Sequence, residues 1–213
     1  MNFRIPIVRD AYQFLIPLLV LTVSSSLLGY RWTSAVLLFL TLFVAYFFRD
    51  PERSERQDNR CVVSPADGKV LEIEQNSTNE WLGENFTRVT IFLSVFNVHV
   101  NRSPHKGTVK KLKYVPGKFL AAFNKSASRE NEQNWLLIED GELQILVKQI
   151  TGLIARRIVC WSREGDQLES GERFGLIRFG SRVDLFVPDT VQIRVKPSDK
   201  VLGGTTVIGV LSE

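Results

Sequence analysis

Cysteine, histidine and methionine are scarce in this 213-residue sequence, which has two Cys, two His and one Met. Cys61 and Cys160 stand far apart and outside any CxxC or metal-ligand spacing. They read as free thiols of a reducing compartment, with a single disulfide as the alternative. A zinc or non-haem iron site would have to be built almost wholly from carboxylates around His99 or His105, which suits neither metal, so no metal is expected. A strong excess of one charge is missing too. The pI is near 9.2, but the first fifty residues hold four arginines and two aspartates, leaving 23 basic against 21 acidic residues beyond them. That surplus, without interleaved aromatics, argues against a nucleic-acid partner. No repeat period or low-complexity tract is present. The chain is 44% hydrophobic and 23% charged, a composition that buries a core, with room for one domain and an appendage.

What the sequence does have is two long apolar runs. "AYQFLIPLLVLTVSSSLLGY" (11–30) extends 20 residues without a charge and "WTSAVLLFLTLFVAYFF" (32–48) a further 17, separated only by Arg31. A helix needs ~20 residues to cross ~30 Å of hydrocarbon. A signal peptide has one short apolar core and a cleavage site, not a second run following at once. Residues 1–48 therefore read as a membrane-anchoring helical hairpin, which spans the bilayer or dips into one leaflet; a buried core hairpin is the alternative. Arg4 and Arg9 before it and Arg49, Arg53, Arg56 and Arg60 after it place both ends in the cytoplasm by the positive-inside rule. Tyr30, Trp32 and Tyr46 suit interfacial anchoring, and Pro17 with Ser24-Ser25-Ser26 can kink the first helix. "RDPERSERQDNR" (49–60) reads as a polar linker to a cytoplasmic domain over 61–213.

From Cys61 onward the pattern changes to short apolar runs set between turn signals: "GKVLEIE", "RVTIFLSVFNVHV", "GTVKKLKYV", "NWLLIED", "LQILVKQI", "LIARRIVCW", "LIRFG", "RVDLFV", "VQIRV" and "TTVIGVL". Period-two alternation and β-branched residues predict strands, with one polar or helical excursion around 118–134. The expected fold class is mainly β (α+β), a β-rich sandwich or partly closed barrel behind the hairpin.

Three places carry chemistry. In "SVFNVHVNRSP", strand alternation puts Asn97, His99 and Asn101 on one face and Phe96, Val98 and Val100 on the other. His99 is then a structural histidine or a general acid/base steadied by neighbouring amides; His105, in "SPHKG", is expected at the surface. Asp67 in "SPADGKV" is a turn residue or a group that orients a nucleophile or proton carrier. Gly180-Ser181 interrupts a strand pattern in "RFGSRVDLF". It is a bulge, or a reactive bond whose serine hydroxyl attacks its own preceding carbonyl, with glycine removing the Cβ that would obstruct the bend. The ester so formed can undergo β-elimination and hydrolysis to leave a pyruvoyl group at position 181. Such a group forms a Schiff base with an amine and acts as an electron sink for decarboxylation.

Taken together, "SPADGKV" (64–70), "FNVHVNRSP" (96–104), "YVPGKF" (114–119), "ENEQN" (130–134), "QITGLIARRIV" (149–159) and "RFGLIRFGSRVDLFVP" (173–188) resemble the short-type phosphatidylserine decarboxylase proenzymes along nearly the whole chain. The resemblance implies self-cleavage between Gly180 and Ser181, giving a membrane-associated β chain, 1–180, and an α chain, 181–213, that form a heterodimer or a higher oligomer. It implies a pyruvoyl cofactor made from Ser181, no metal, a phospholipid substrate held in the cell membrane, and a role in phospholipid biosynthesis. "VLGGTTVIG" (201–209) looks superficially like the Leu-Gly-Ser-Thr cleavage motif of the long-type enzymes, but Gly204 precedes Thr205 rather than serine, so 201–211 is taken as a turn and terminal strand. Long-type members use Asp, His and Ser for self-cleavage, with two histidines three apart. Here the first is His99 and Arg102 stands at the second. Either His99 serves both maturation and decarboxylation, or Asp67 acts more directly on Ser181; Arg102, with Asn97, is assigned to contact the substrate's charged groups.

The reading is a decarboxylase converting phosphatidylserine to phosphatidylethanolamine and CO₂. The rivals are a non-catalytic membrane adaptor built on a lipoyl-like sandwich, a pyruvoyl enzyme acting on a soluble amino acid, and a pyruvoyl decarboxylase of another serine lipid such as archaetidylserine.

Overall fold

The computed structural model describes residues 6–53, 58–122, 124, 126–153, 157–178 and 181–212. The chain divides into two compact units, Met1–Glu52 and Arg53–Glu213.

In the first unit the apolar runs form helices α1 (Tyr12–Leu27) and α2 (Arg31–Phe47), the first led by a 3₁₀ turn over Arg9–Ala11. Gly29, at φ 79°, ends α1 in the left-handed conformation that glycine adopts without strain. Pro17 lies within α1 without ending it. The two helices face each other across Thr22 and Thr41, whose hydroxyl oxygens are 3.4 Å apart. Leu19, Val20, Leu21, Phe39 and Leu42 point outward and are exposed. The helical stretch Arg9–Leu27 is long and apolar enough to cross a membrane, whereas α2, with 17 residues, is shorter. At the open end of the hairpin Ile7 bridges Arg49, and the Asp50 amide donates to Pro6 O at 2.7 Å. Arg49 and Asp50, expected in the linker, thus belong to the hairpin unit.

The second unit is mainly β. Its strands are β1 (Cys61–Val63), β2 (Gly68–Asn79), β3 (Gly83–Leu93), β4 (Val100–Arg102), β5 (Gly107–Val115), β6 (Gln133–Asp140), β7 (Leu143–Thr151), β8 (Ile158–Cys160), β9 (Gln167–Leu168), β10 (Arg173–Ile177), β11 (Ser181–Pro188), β12 (Val191–Ile193), β13 (Lys200–Val201) and β14 (Val207–Leu211). An eight-stranded sheet of order β13-β2-β3-β11-β7-β6-β5-β9 curls like a half-barrel, and two three-stranded sheets, β1-β14-β12 and β4-β10-β8, accompany it. Every pairing between these strands is antiparallel, and alternate residues along each strand face opposite sides. Ile91 and Leu93 of β3, Val183 and Leu185 of β11, Val147 of β7 and Leu136 of β6 are fully buried on one face. Val62, Phe174, Ile177, Val191 and Ile208 from the small sheets join the same core.

Two expected elements differ. The run 88–100 is not one strand: β3 ends at Leu93, because the Asn97 Oδ1 accepts from the Ser94 amide at 2.9 Å and its hydroxyl at 2.7 Å, folding 94–97 into a side-chain-capped turn. The excursion around 118–134 is one helical turn, α3 (Ala127–Glu130), before β6.

Candidate active site

One end of the large sheet carries Ser181 and, two strands away, Asp67. Ser181, the first residue of β11, pairs with Leu93 at the end of β3 and with Thr151 at the end of β7. Beyond Leu93 lies Gly68, the first residue of β2, where a Cβ would overlap the Phe92 carbonyl oxygen; glycine is what lets β2 close against β3 here. Asp67 immediately precedes it. Two strand spacings separate the β2 and β11 backbones, about 10 Å.

Ser181 is 0% exposed, and its Oγ makes no hydrogen bond among the described residues. A buried hydroxyl in that condition costs about 1–3 kcal/mol. Gly180 lies outside the described residues.

Asp67 is held from three sides. Arg53 Nη1 and Nη2 donate to its two oxygens at 2.6 and 2.9 Å, and the Gly203 amide donates to Oδ1 at 2.8 Å. Arg53 also donates to Gly203 O. Arg53, expected in the polar linker, is thus a partner of the candidate site.

His99 is buried at 2% exposure, just before β4, and its carbonyl accepts from the Ile177 amide at 3.3 Å. Ile177 closes β10, four residues ahead of Ser181. The turn at 94–97 takes Asn97 off the strand face it was expected to share with His99 and Asn101, and Asn97 is committed to that turn through its side-chain oxygen. Arg102, 3% exposed, donates from Nη1 to Gly171 O at 3.0 Å, and its Cδ packs where a side chain on Gly204 would sit. His105 is not at the surface: it is 2% exposed, with Nδ1 and Nε2 each 2.8 Å from a carbonyl oxygen, of Lys106 and Asn59.

A chain of amides crosses the core below Ser181. Asn134 Nδ2 donates to Gln149 Oε1 at 2.9 Å and Gln149 Nε2 donates to Asn101 Oδ1 at 2.8 Å. Gln149 is two residues from Thr151 on the same face of β7 and lies opposite Val183. Asn101 is fully buried, and its Nδ2 has no partner among the described residues. Gly175 on β10 leaves the space that Gln149 crosses. Nearby, Cys160 is a free thiol whose pKa burial pushes up, which keeps it protonated and unreactive. Among the described residues no group of three His, Cys, Asp or Glu side chains could hold a metal ion.

The sequence profile of the phosphatidylserine decarboxylase family matches residues 40–209. The chain belongs to the phosphatidylserine decarboxylase family. It is 44% identical over 211 residues to the phosphatidylserine decarboxylase proenzyme of Geotalea uraniireducens (strain Rf4), covering 99% of both chains. It is 46% identical over 215 residues to that of Symbiobacterium thermophilum, covering 100% of this chain and 99% of the relative. With the proenzyme of Syntrophus aciditrophicus it shares 45% identity over 206 residues, 95% of this chain and 96% of the relative.

For a family whose members are named as proenzymes, the residues present fit a prosthetic group derived from Ser181: an unbonded hydroxyl and an unbonded amide donor on Asn101, both buried. Sequence reasoning missed Arg53, Thr151 and the Asn134–Gln149 pair. The last three stand in "ENEQN" and "QITGLIARRIV", so a signal existed; Arg53 stands in a charged run that composition reads as solvated.

Proposed function

We propose that this chain is a self-processing phosphatidylserine decarboxylase that cuts itself between Gly180 and Ser181 and converts phosphatidylserine to phosphatidylethanolamine and CO₂ at the membrane. The observation that carries the reading is Ser181 itself, at the head of β11, fully buried with an unbonded hydroxyl. In maturation Ser181 Oγ bonds to the Gly180 carbonyl carbon and the Gly180–Ser181 C–N bond breaks, giving an ester. Elimination releases Gly180 as a carboxylate, and water then removes ammonia from position 181. The resulting pyruvoyl group supplies a carbonyl that condenses with the substrate amine and takes up the electron pair released as CO₂ leaves.

The other roles belong to this chain's side chains. Asp67, fixed by Arg53 and the Gly203 amide, orients the maturation chemistry from the end of β2, two strands from β11. His99 moves protons to and from the substrate carbon and nitrogen, an imidazole being able to serve as both acid and base. Arg102 and the Asn101 amide offer donors to the substrate's carboxylate or phosphate. The β chain, 1–180, and the α chain, 181–213, stay together because β11 is hydrogen-bonded between β3 and β7. The hairpin holds the domain at the cytoplasmic face of the cell membrane.

The test is direct: purified protein is incubated with phosphatidylserine in mixed micelles, and CO₂ release is followed with phosphatidylethanolamine. Equal molar release of both supports the reading; neither product from a fully cut chain refutes it.

A further inference from the structure

We propose that the Ser181 end of the large sheet is a lipid-docking rim that seats the second unit directly on an anionic bilayer, separately from the hairpin. The inference rests on the proposed lipid substrate.

Three exposed apolar side chains stand at this end of the sheet, on separate loops. Phe96, three residues beyond the end of β3, is 65% exposed; Leu153, two beyond the end of β7, is 65%; and Leu202, next after β13, is 54%. Each follows a strand that stops level with Ser181: Leu93 and Thr151 pair with Ser181, and Val201 pairs with Gly68 beside Leu93. Large apolar groups presented on three loops at one end of a sheet suit an interfacial surface.

The charges are sorted along the same axis. Lys69 and Lys200 face each other across β2 and β13 at this end, and Arg157 precedes β8 where it pairs with Ile177. All three are exposed and make no ion pair among the described residues. The opposite end is acidic at its tips, with exposed Glu84 after the β2–β3 turn, Glu142 in the β6–β7 turn and Asp189 after β11. An anionic surface therefore attracts one end and repels the other. This matches apolar anchors and cations to lipid tails and headgroups, and brings the lipid to the sheet end where Ser181 lies.

Depth of insertion tests the rim without activity. In full-length chain carrying Ser181→Ala, Cys61→Ala and Cys160→Ala, a fluorescent label is attached to Leu153→Cys or, as control, Glu142→Cys, and the protein is reconstituted in phosphatidylglycerol-containing vesicles with nitroxide lipids. About twofold quenching at 153 and none at 142 is expected for a side chain ~5–10 Å into the interface. Equal quenching at both positions, or none at 153, overturns the proposal; a spectral shift at 153 without quenching assigns the face to a protein partner and overturns it too. Kinetics supply the second arm. Phe96→Ser/Leu153→Ser/Leu202→Ser should lower turnover of vesicle phosphatidylserine about tenfold, the worth of roughly one buried apolar side chain, while self-cleavage and turnover of a monomeric short-chain serine lipid persist. Equal loss on both substrates refutes docking yet leaves the decarboxylase reading intact; wild-type chain that turns over neither substrate defeats that reading instead.

Discussion

Replacing Arg53 by methionine removes the guanidinium that neutralises Asp67 while keeping most of its volume. The pair is nearly dry, with side chains 11% and 6% exposed, and bidentate at 2.6 and 2.9 Å. After the change the carboxylate keeps only the Gly203 amide at 2.8 Å. Breaking a buried pair from one side costs about 3–5 kcal/mol, because a desolvated charge is left behind. For a domain of this size each kcal/mol moves the midpoint by roughly 2–4 °C, so the expected fall is about 6–20 °C. Near-ultraviolet circular dichroism reports it through Trp81 and Trp135, packed edge to face with ring centroids 5.4 Å apart. Adding Asp67→Asn removes the stranded charge, so the double variant should melt above Arg53→Met alone, a coupling that contact residues show and distant ones do not. A fall under about 3 °C, or strictly additive losses in the double variant, would refute the claim that Arg53 anchors Asp67.

Three further outcomes follow from the same geometry. In fully processed protein, His99→Ala should lower turnover by roughly 10² or more, the usual contribution of a positioned acid or base; His105→Ala, which loses two backbone contacts and a 3.7 Å approach to Asp140, should leave turnover near normal, and the reverse result would exchange the two roles. Lys148, 7% exposed and 3.5 Å from the centre of the Trp135 ring, has its pKa lowered by desolvation to about 8. The unfolded chain then binds more protons than the folded one between pH 8 and 10.5, so this lysine's contribution makes stability rise with pH across that window. Lys148→Met should abolish that rise, and a midpoint–pH slope identical to wild type would contradict it. Deleting residues 1–48 should leave self-cleavage intact and reduce turnover of bilayer lipid more than of detergent-dispersed lipid, whereas equal losses would make the hairpin part of the catalytic fold.

The strands that were legible in the sequence are those whose alternation is local. "GTVKKLKYV" is β5 to the residue, and β6 and β7 begin and end within a residue or so of their predicted runs. The break between Leu93 and Val100 was hidden because Phe96, Val98 and Val100 continue a strand alternation, while the side-chain bond from Asn97 back to Ser94 that ends β3 leaves no periodic mark. Burial across sheets was equally silent. His105 sits in a turn sequence, yet its ring is enclosed by a carbonyl 46 residues away. Arg182 and Asp184 alternate with Ser181 and Val183 along β11, and the bonds from Arg182 to Asp184, 2.7 and 3.0 Å, make the side of β11 opposite Ser181 a buried ionic layer. Arg53 looked solvated for the same reason: its partner lies fourteen positions on.

The central claim is that Ser181 is both the nucleophile of maturation and the source of the prosthetic group. Denaturing mass spectrometry of the purified wild-type and Ser181→Ala proteins tests it most directly. The wild type should give two chains, 1–180 and 181–213, the smaller one lighter by one ammonia than simple hydrolysis would leave it, and Ser181→Ala a single intact chain with no decarboxylase activity. Two chains in Ser181→Ala, or a wild-type small chain beginning with free serine, would contradict it.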